Sequence, residues 1–260
     1  MRTRIAVLGP LVAGLLAVSA APAAAISYGE KDHNRHPEVG ALLAEKAYSD
    51  GTYAYCSGTL VSPTVLVTAA HCGDPGQRTA RVTFVPHYKP GAPVYVGRYV
   101  ADPAYTQRQN DPHDLAVVVF DSAIPGITPA RLPTAGLLDR LRDSGHLRDA
   151  TFTAVGYGSL APTNGPGGKN YVYSDTRYLA FGSFNSLNQA WLRLSGNPAT
   201  GDGGTCFGDS GGPNFLGGPQ SDLLVATTIT GDAVCRATNV DYRLDTASAR
   251  SFLARFVRLP

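Results

Sequence analysis

Gly204-Thr205-Cys206-Phe207-Gly208-Asp209-Ser210-Gly211-Gly212-Pro213 is the most specific stretch of this chain. It sets one serine hydroxyl among glycines. Gly208 and Gly211 free the backbone around Ser210 to take dihedrals closed to other residues, so that successive N–H groups can converge on one point. Converging N–H donors stabilise an oxygen that is gaining negative charge, and a serine beside them is placed to attack a carbonyl. The stretch therefore reads as a nucleophile with its own oxyanion site.

A serine needs a base within hydrogen-bond reach. Working outward, Thr68-Ala69-Ala70-His71-Cys72 follows an apolar run, and a histidine beside a bridged cysteine is held rigidly enough to serve as that base. Asp111-Pro112-His113-Asp114 leads into Leu115-Ala116-Val117-Val118-Val119, which puts Asp114 at the threshold of a buried strand. An unpaired carboxylate there is costly, and an imidazole N–H is a suitable partner. His113 has no such constraint and reads as exposed. The spacing Gly208-x-Ser210-x-Gly212 also satisfies the nucleophile elbow of α/β-hydrolases, which requires the chain order serine, acid, histidine. The histidines are at 33, 36, 71, 87, 113 and 146, so none follows Ser210 and the elbow fails. The order left is His71, Asp114, Ser210.

The remaining sequence suits such a site. At 260 residues, 43% hydrophobic and 16% charged, the chain is globular and long enough for one large domain or two small ones. Arg2 and Arg4, the apolar stretch Ile5 to Val18, and Ala23-Ala24-Ala25 read as a secretory signal over residues 1–25, leaving a domain from 26 to 260. No second apolar run approaches membrane length, and a net charge of +2 argues against a charge-driven nucleic-acid or membrane binder. Export makes Cys56, Cys72, Cys206 and Cys235 disulfide candidates; of three possible pairings, the sequential one closes the shortest loops. Zinc would want a C-x-x-C pair, which is missing.

Short β-rich runs at Thr64–Thr68, Arg81–Val85, Val94–Val100, Leu115–Phe120, Thr151–Val155, Asn170–Tyr173, Leu223–Thr230 and Asn239–Leu244 are separated by Gly, Pro and Asn clusters. That pattern predicts an all-β sandwich or barrel. Thr134–Leu141 could form a short helix, and Asp245 or Thr246 could cap a C-terminal one carrying Phe252, Leu253 and Phe256 on its apolar side. A boundary near 130–148 divides the chain into similar halves.

On TAAHC at 68–72, DLAVV at 114–118 and GDSGGP at 208–213, supported by Cys56-Ser57-Gly58-Thr59-Leu60-Val61 and Gly156-Tyr157-Gly158, the chain resembles the secreted trypsin/chymotrypsin-like serine proteases over roughly residues 26–257. The resemblance implies two six-stranded antiparallel β-barrels, about 26–135 and about 148–245, with the active site between them and a C-terminal helix at about 246–257. It implies a secreted, extracellular endopeptidase acting through an acyl-enzyme. Ser210 would be the nucleophile, His71 the base and Asp114 the residue orienting it. The N–H groups of Gly208 and Ser210 would form the oxyanion hole. The sequential disulfides follow, Cys56–Cys72 and Cys206–Cys235. No metal or cofactor is expected, nor a nucleic-acid partner or membrane anchor. Protein or peptide substrates and a monomeric state are.

The match loosens at the primary pocket. Gly204 stands where trypsin-like members carry an acid, while Asp232 and Asp241 lie in segments resembling the pocket wall. Ile229-Thr230-Gly231 replaces a common Ser-Trp-Gly, so the serine that usually supports the acid is missing unless Thr228 takes its place. With Gly204 and Gly231 in the pocket, the expected preference is for an uncharged side chain. Trp191 is expected in the core. Finally, Ile26-Ser27-Tyr28-Gly29 follows the signal directly and resembles the family's activating N-terminus, whose ammonium would pair with Asp209.

Overall fold

A computed structural model describes residues 26–106 and 110–260; the predicted signal segment 1–25 lies outside the described residues. The described chain opens with a two-residue strand, β1 (Glu30–Lys31). Six strands follow: β2 (Val39–Leu43), β3 (Ala54–Ser62), β4 (Val65–Thr68), β5 (Thr79–Thr83), β6 (Tyr95–Ala101) and β7 (Ala116–Val119). They close into an antiparallel barrel in the order β2-β3-β4-β7-β6-β5. A two-residue turn at Pro63 and Thr64 joins β3 to β4, and β4 pairs β7 along two apolar runs from Val65↔Val119 to Thr68↔Ala116. Gly97 and Tyr99 of β6 are buried while Val96 and Arg98 are exposed, as the two-residue period of a strand on a barrel wall demands.

A short helix, α1 (Leu137–Asp143), precedes the second half. There, β8 (Thr151–Gly156) is followed by the small hairpin β9 (Thr163–Gly165) and β10 (Gly168–Asn170). Then come β11 (Tyr178–Leu187), β12 (Trp191–Ser195), β13 (Pro213–Leu216), β14 (Leu224–Gly231) and β15 (Thr238–Arg243). Because β8 pairs both β11 and β13, the strands β8, β11, β12, β15, β14 and β13 form a second closed six-stranded barrel, with β1 added on β11. The chain ends in α2 (Ala247–Leu253), where the Thr246 hydroxyl accepts the Ala249 N–H and Phe252 and Leu253 are buried. The expected two barrels and C-terminal helix are thus the fold.

Several strands carry no clear local signal. β3 reads AYCSGTLVS and β11 reads YLAFGSFNSL, so small and polar residues dilute β propensity, and pairing on both sides decides. The expected strand at Asn170–Tyr173 is corrected: β10 stops at Asn170. Trp191 packs against the main core. Among the described residues no helix is long and apolar enough to cross a membrane.

The barrels are joined through a buried ionic cluster. Arg177, just before β11, is fully buried. Its Nε donates to Asp32 Oδ2 at 2.9 Å, and its Nη1 reaches the carbonyls of Val39 and Phe84 in the first barrel at 2.7 and 3.0 Å. Asp32 also lies 2.6 Å from His36 Nδ1. Burial pushes the Asp32 carboxyl up, but the His36 bond and the Arg177 charge outweigh it and hold it at about 2.

Candidate active site

His71 occupies a 3-10 turn, Ala70–Cys72, that ends β4. The turn is fixed from two directions. A disulfide joins Cys72 to Cys56 of β3, and the Tyr99 hydroxyl bonds the carbonyls of Ala69 and Ala70 at 2.9 and 3.0 Å. Asp114 stands two residues before β7, which pairs β4, so the barrel ladder itself brings the acid to the histidine. Asp114 Oδ2 is 2.7 Å from His71 Nδ1, and its Oδ1 accepts the His71 backbone N–H at 2.9 Å. Both oxygens of a nearly buried carboxylate thus hold one residue in place.

Ser210 comes from the second barrel, in the loop before β13. The Ser57 N–H of β3 donates to the Ser210 carbonyl at 2.8 Å, tying this loop to the first barrel. The Ser57 hydroxyl donates to the Gly208 carbonyl at 3.2 Å and accepts the Tyr157 N–H at 3.0 Å. Nothing in the local sequence marks Ser57 for this role, because these partners are a hundred residues or more away. Gly208 and Gly211 have φ of 96° and 77°, and a Cβ on Gly211 would lie 2.1 Å from Thr68 Oγ1. Asp209, Gly211 and Gly212 donate their N–H groups to the carbonyls of Cys206, Thr228 and Asp209. The N–H groups of Gly208 and Ser210 have no acceptor among the described residues. Those two are the predicted oxyanion donors.

His71, Gly208 and Ser210 line one cavity of about 620 Å³ with the Cys56–Cys72 bridge. The second disulfide, Cys206–Cys235, joins the loop of Ser210 to the segment after β14.

Asp209 is fully buried and receives the N–H groups of Gly158 and Cys206, each at 2.8 Å; burial pushes its carboxyl up to about 7. Gly158 makes room for it, since a Cβ there would lie 2.5 Å from Asp209 Cγ. Ile26 is fully buried beside Tyr178 and Ala180. The next residue, Ser27, exchanges backbone bonds of 2.8 and 3.0 Å with Gly204. The predicted activation segment is therefore docked beside the nucleophile loop.

Three sequence expectations need correction or completion. His113 is not free in solvent: its Nδ1 lies 3.1 Å from Ser248 Oγ and 3.3 Å from Asp102 Oδ2, because α2 packs over the turn before β7. Thr228 does not replace the missing serine; its hydroxyl accepts from Asn214 Nδ2 at 3.0 Å, while the oxygens of Asp114 bond His71. The two wall aspartates both accept hydrogen bonds within the protein, although Oδ2 of Asp241 has no partner among the described residues. Asp232 accepts the N–H groups of Arg236, Ala237 and Thr238, while Asp241 is fully buried in the barrel and accepts from Asn214 at 2.8 Å. Gly231 lies at the end of β14, against Thr238 of β15.

No curated protein matches the chain in sequence. The family model described as Trypsin matches residues 29–250, a span that takes in both barrels, His71, Asp114 and Ser210. By that match and by its two closed six-stranded barrels, the chain belongs to the trypsin family of serine-protease-type hydrolases.

Proposed function

We propose that the protein is a secreted serine endopeptidase using His71, Asp114 and Ser210. The observation that carries this is the 2.7 Å contact of His71 Nδ1 with Asp114 Oδ2, in a residue whose ring shares one cavity with Ser210. Asp114 holds the tautomer in which His71 Nε2 is free to take the Ser210 proton as Oγ attacks the scissile carbonyl. The Gly208 and Ser210 N–H groups stabilise the oxyanion. His71 then protonates the leaving amine, and water releases the acyl group by the reverse steps. The two disulfides agree with export. A fluorophosphonate should label the mature protein and spare Ser210→Ala. Proteolysis that survives intact in Ser210→Ala would end this reading.

The primary pocket bounded by Gly204 and Gly231 takes an uncharged side chain, since Gly204 supplies no acid, Asp232 is occupied by its own loop and Asp241 is buried inside the barrel. A peptide library cleaved almost only after Lys or Arg would contradict it.

Activation follows from release of Ile26. Its φ of 57° is strained for a β-branched residue and ceases to be defined by a preceding carbonyl once the Ala25–Ile26 bond is cut. The new ammonium would enter beside Asp209 and offset the cost of burying that carboxylate. Mass spectrometry of the active protein should find Ile26 first. Full activity in a form starting several residues away would defeat the proposal.

A further inference from the structure

The cavity that holds Ser210 contains chemistry the triad does not use. Four aromatic rings, Tyr48, Tyr55, Tyr173 and Phe207, line it together with two carboxylates, Asp50 and Asp74. Neither Gly204 nor Gly231 lines it, whereas His71 does, so it is separate from the primary pocket and adjoins the imidazole. On the catalytic reading above, on which this inference rests, His71 protonates the leaving amine, so the leaving segment begins beside this cavity.

The rings are open and held. Tyr48 and Phe207 are 48% and 49% exposed. Phe207 is met edge-on by Tyr171 at 5.0 Å, and Tyr171 is itself anchored by its hydroxyl to the Ala233 carbonyl at 2.6 Å. The carboxylates face the same rings: burial raises the phenol pKa values of Tyr48, Tyr55 and Tyr173, and the charges of Asp74 and Asp50 add to it. Asp50 is held ionised by the hydroxyl and N–H of Thr52, at 2.7 and 3.0 Å. Among the described residues neither carboxylate has an ion-pair partner, and no Lys or Arg lines the cavity. Arg78 and Arg81 line an adjoining cavity, where Arg81 donates to the Glu45 carbonyl.

We propose that this cavity selects a Lys or Arg side chain in the first two residues after the scissile bond. Its alkyl stem lies along the rings and its cation meets a ring face and the two carboxylates. An anionic side chain there meets two like charges and is disfavoured.

The test uses internally quenched peptides sharing one acyl side and differing only in those two residues, which are arginine, lysine, norleucine or glutamate. The expected kcat/KM for arginine and lysine is about tenfold above norleucine, with glutamate lowest. In Asp50→Asn/Asp74→Asn the arginine-to-norleucine ratio should fall toward one. Asp74→Asn alone, a surface change, should lower it part of the way if the double variant does not melt like the parent. Norleucine cleaved as well as arginine, by a protein whose Ser210 is labelled by fluorophosphonate, overturns the selectivity and leaves the catalytic reading standing. A ratio unchanged in both variants overturns the assignment to this cavity. A protein that takes no fluorophosphonate overturns both readings together.

Discussion

Asp209 adjoins the proposed nucleophile and is the carboxylate there whose environment departs most from water. Among the described residues only two backbone N–H groups compensate its burial, and its carboxyl is pushed up to about 7. The sign of the resulting pH dependence follows. The folded form keeps its proton in a range where the unfolded form, with an ordinary carboxylate pKa, has lost it. Between about pH 4 and pH 7 the folded state therefore binds more protons, and stability falls as pH rises, by up to about 1.4 kcal/mol per pH unit. Urea titrations of a form extended before Ile26 should show this slope, and Asp209→Asn should flatten it. In the form beginning at Ile26 the slope should shrink, because an ammonium enters with the carboxylate. Asp114 is the contrasting acid, with both oxygens committed to His71. Asp114→Asn should preserve the fold and reduce kcat by about four orders of magnitude, through the wrong imidazole tautomer. Equal single-turnover rates for variant and parent would exclude that role.

The elements that carry these residues are held by a few local devices. Helix α2 has seven residues and starts at the Thr246 cap, so most of its stability comes from Phe252 and Leu253 beneath it. Thr246→Ala should cost about 1 kcal/mol in a urea titration, with activity retained. The turn bearing His71 is bridged across 16 residues by Cys56–Cys72, and the loop bearing Ser210 is bridged across 29 by Cys206–Cys235. Replacing either pair with alanine should lower stability by about 3 kcal/mol on the chain-entropy argument, read from the same titration. The runs legible in the sequence were those, such as Val65–Thr68 and Ala116–Val119, whose residues are β-branched or apolar throughout. β11 and β13 were not legible. Their residues acquire a strand conformation from partners: Asn214 of β13 faces Ala154 on one side and Ala226 on the other.

Across the whole molecule, the link between barrels rests on Arg177, Asp32 and His36. Arg177 bonds both the segment that follows Ile26 and the wall of the first barrel, so the cluster couples three parts of the chain. Removing one member leaves another charge buried and unpaired. Arg177→Ala should cost about 3–5 kcal/mol. Asp32 has its pKa depressed to about 2, so its contribution to stability is present above the ordinary carboxylate range and is lost as pH falls through about 2. Acid unfolding curves of the parent and of Asp32→Asn should thus differ near neutral pH and converge near pH 2. Curves that stay parallel would show that the ion pair does not contribute in this way.

His71, Asp114 and Ser210 could be picked out of the chain as candidates because the chemistry proposed for them has short-range signatures. The histidine needs its cystine, the acid needs the mouth of an apolar strand, and the serine needs glycines at φ of 96° and 77°. The lack of any histidine after Ser210 excluded the rival serine-hydrolase fold from the sequence alone. Ser57, the engagement of Asp232 and Asp241, and the surroundings of His113 were not readable in that way. Each depends on which distant atoms arrive beside it: Gly208 and Tyr157 for Ser57, Asn214 for Asp241, Ser248 for His113. The aromatic and acidic lining of the cavity is of the same kind. Tyr48, Tyr173 and Phe207 come from three separate loops, and barrel closure is what brings their rings around one space.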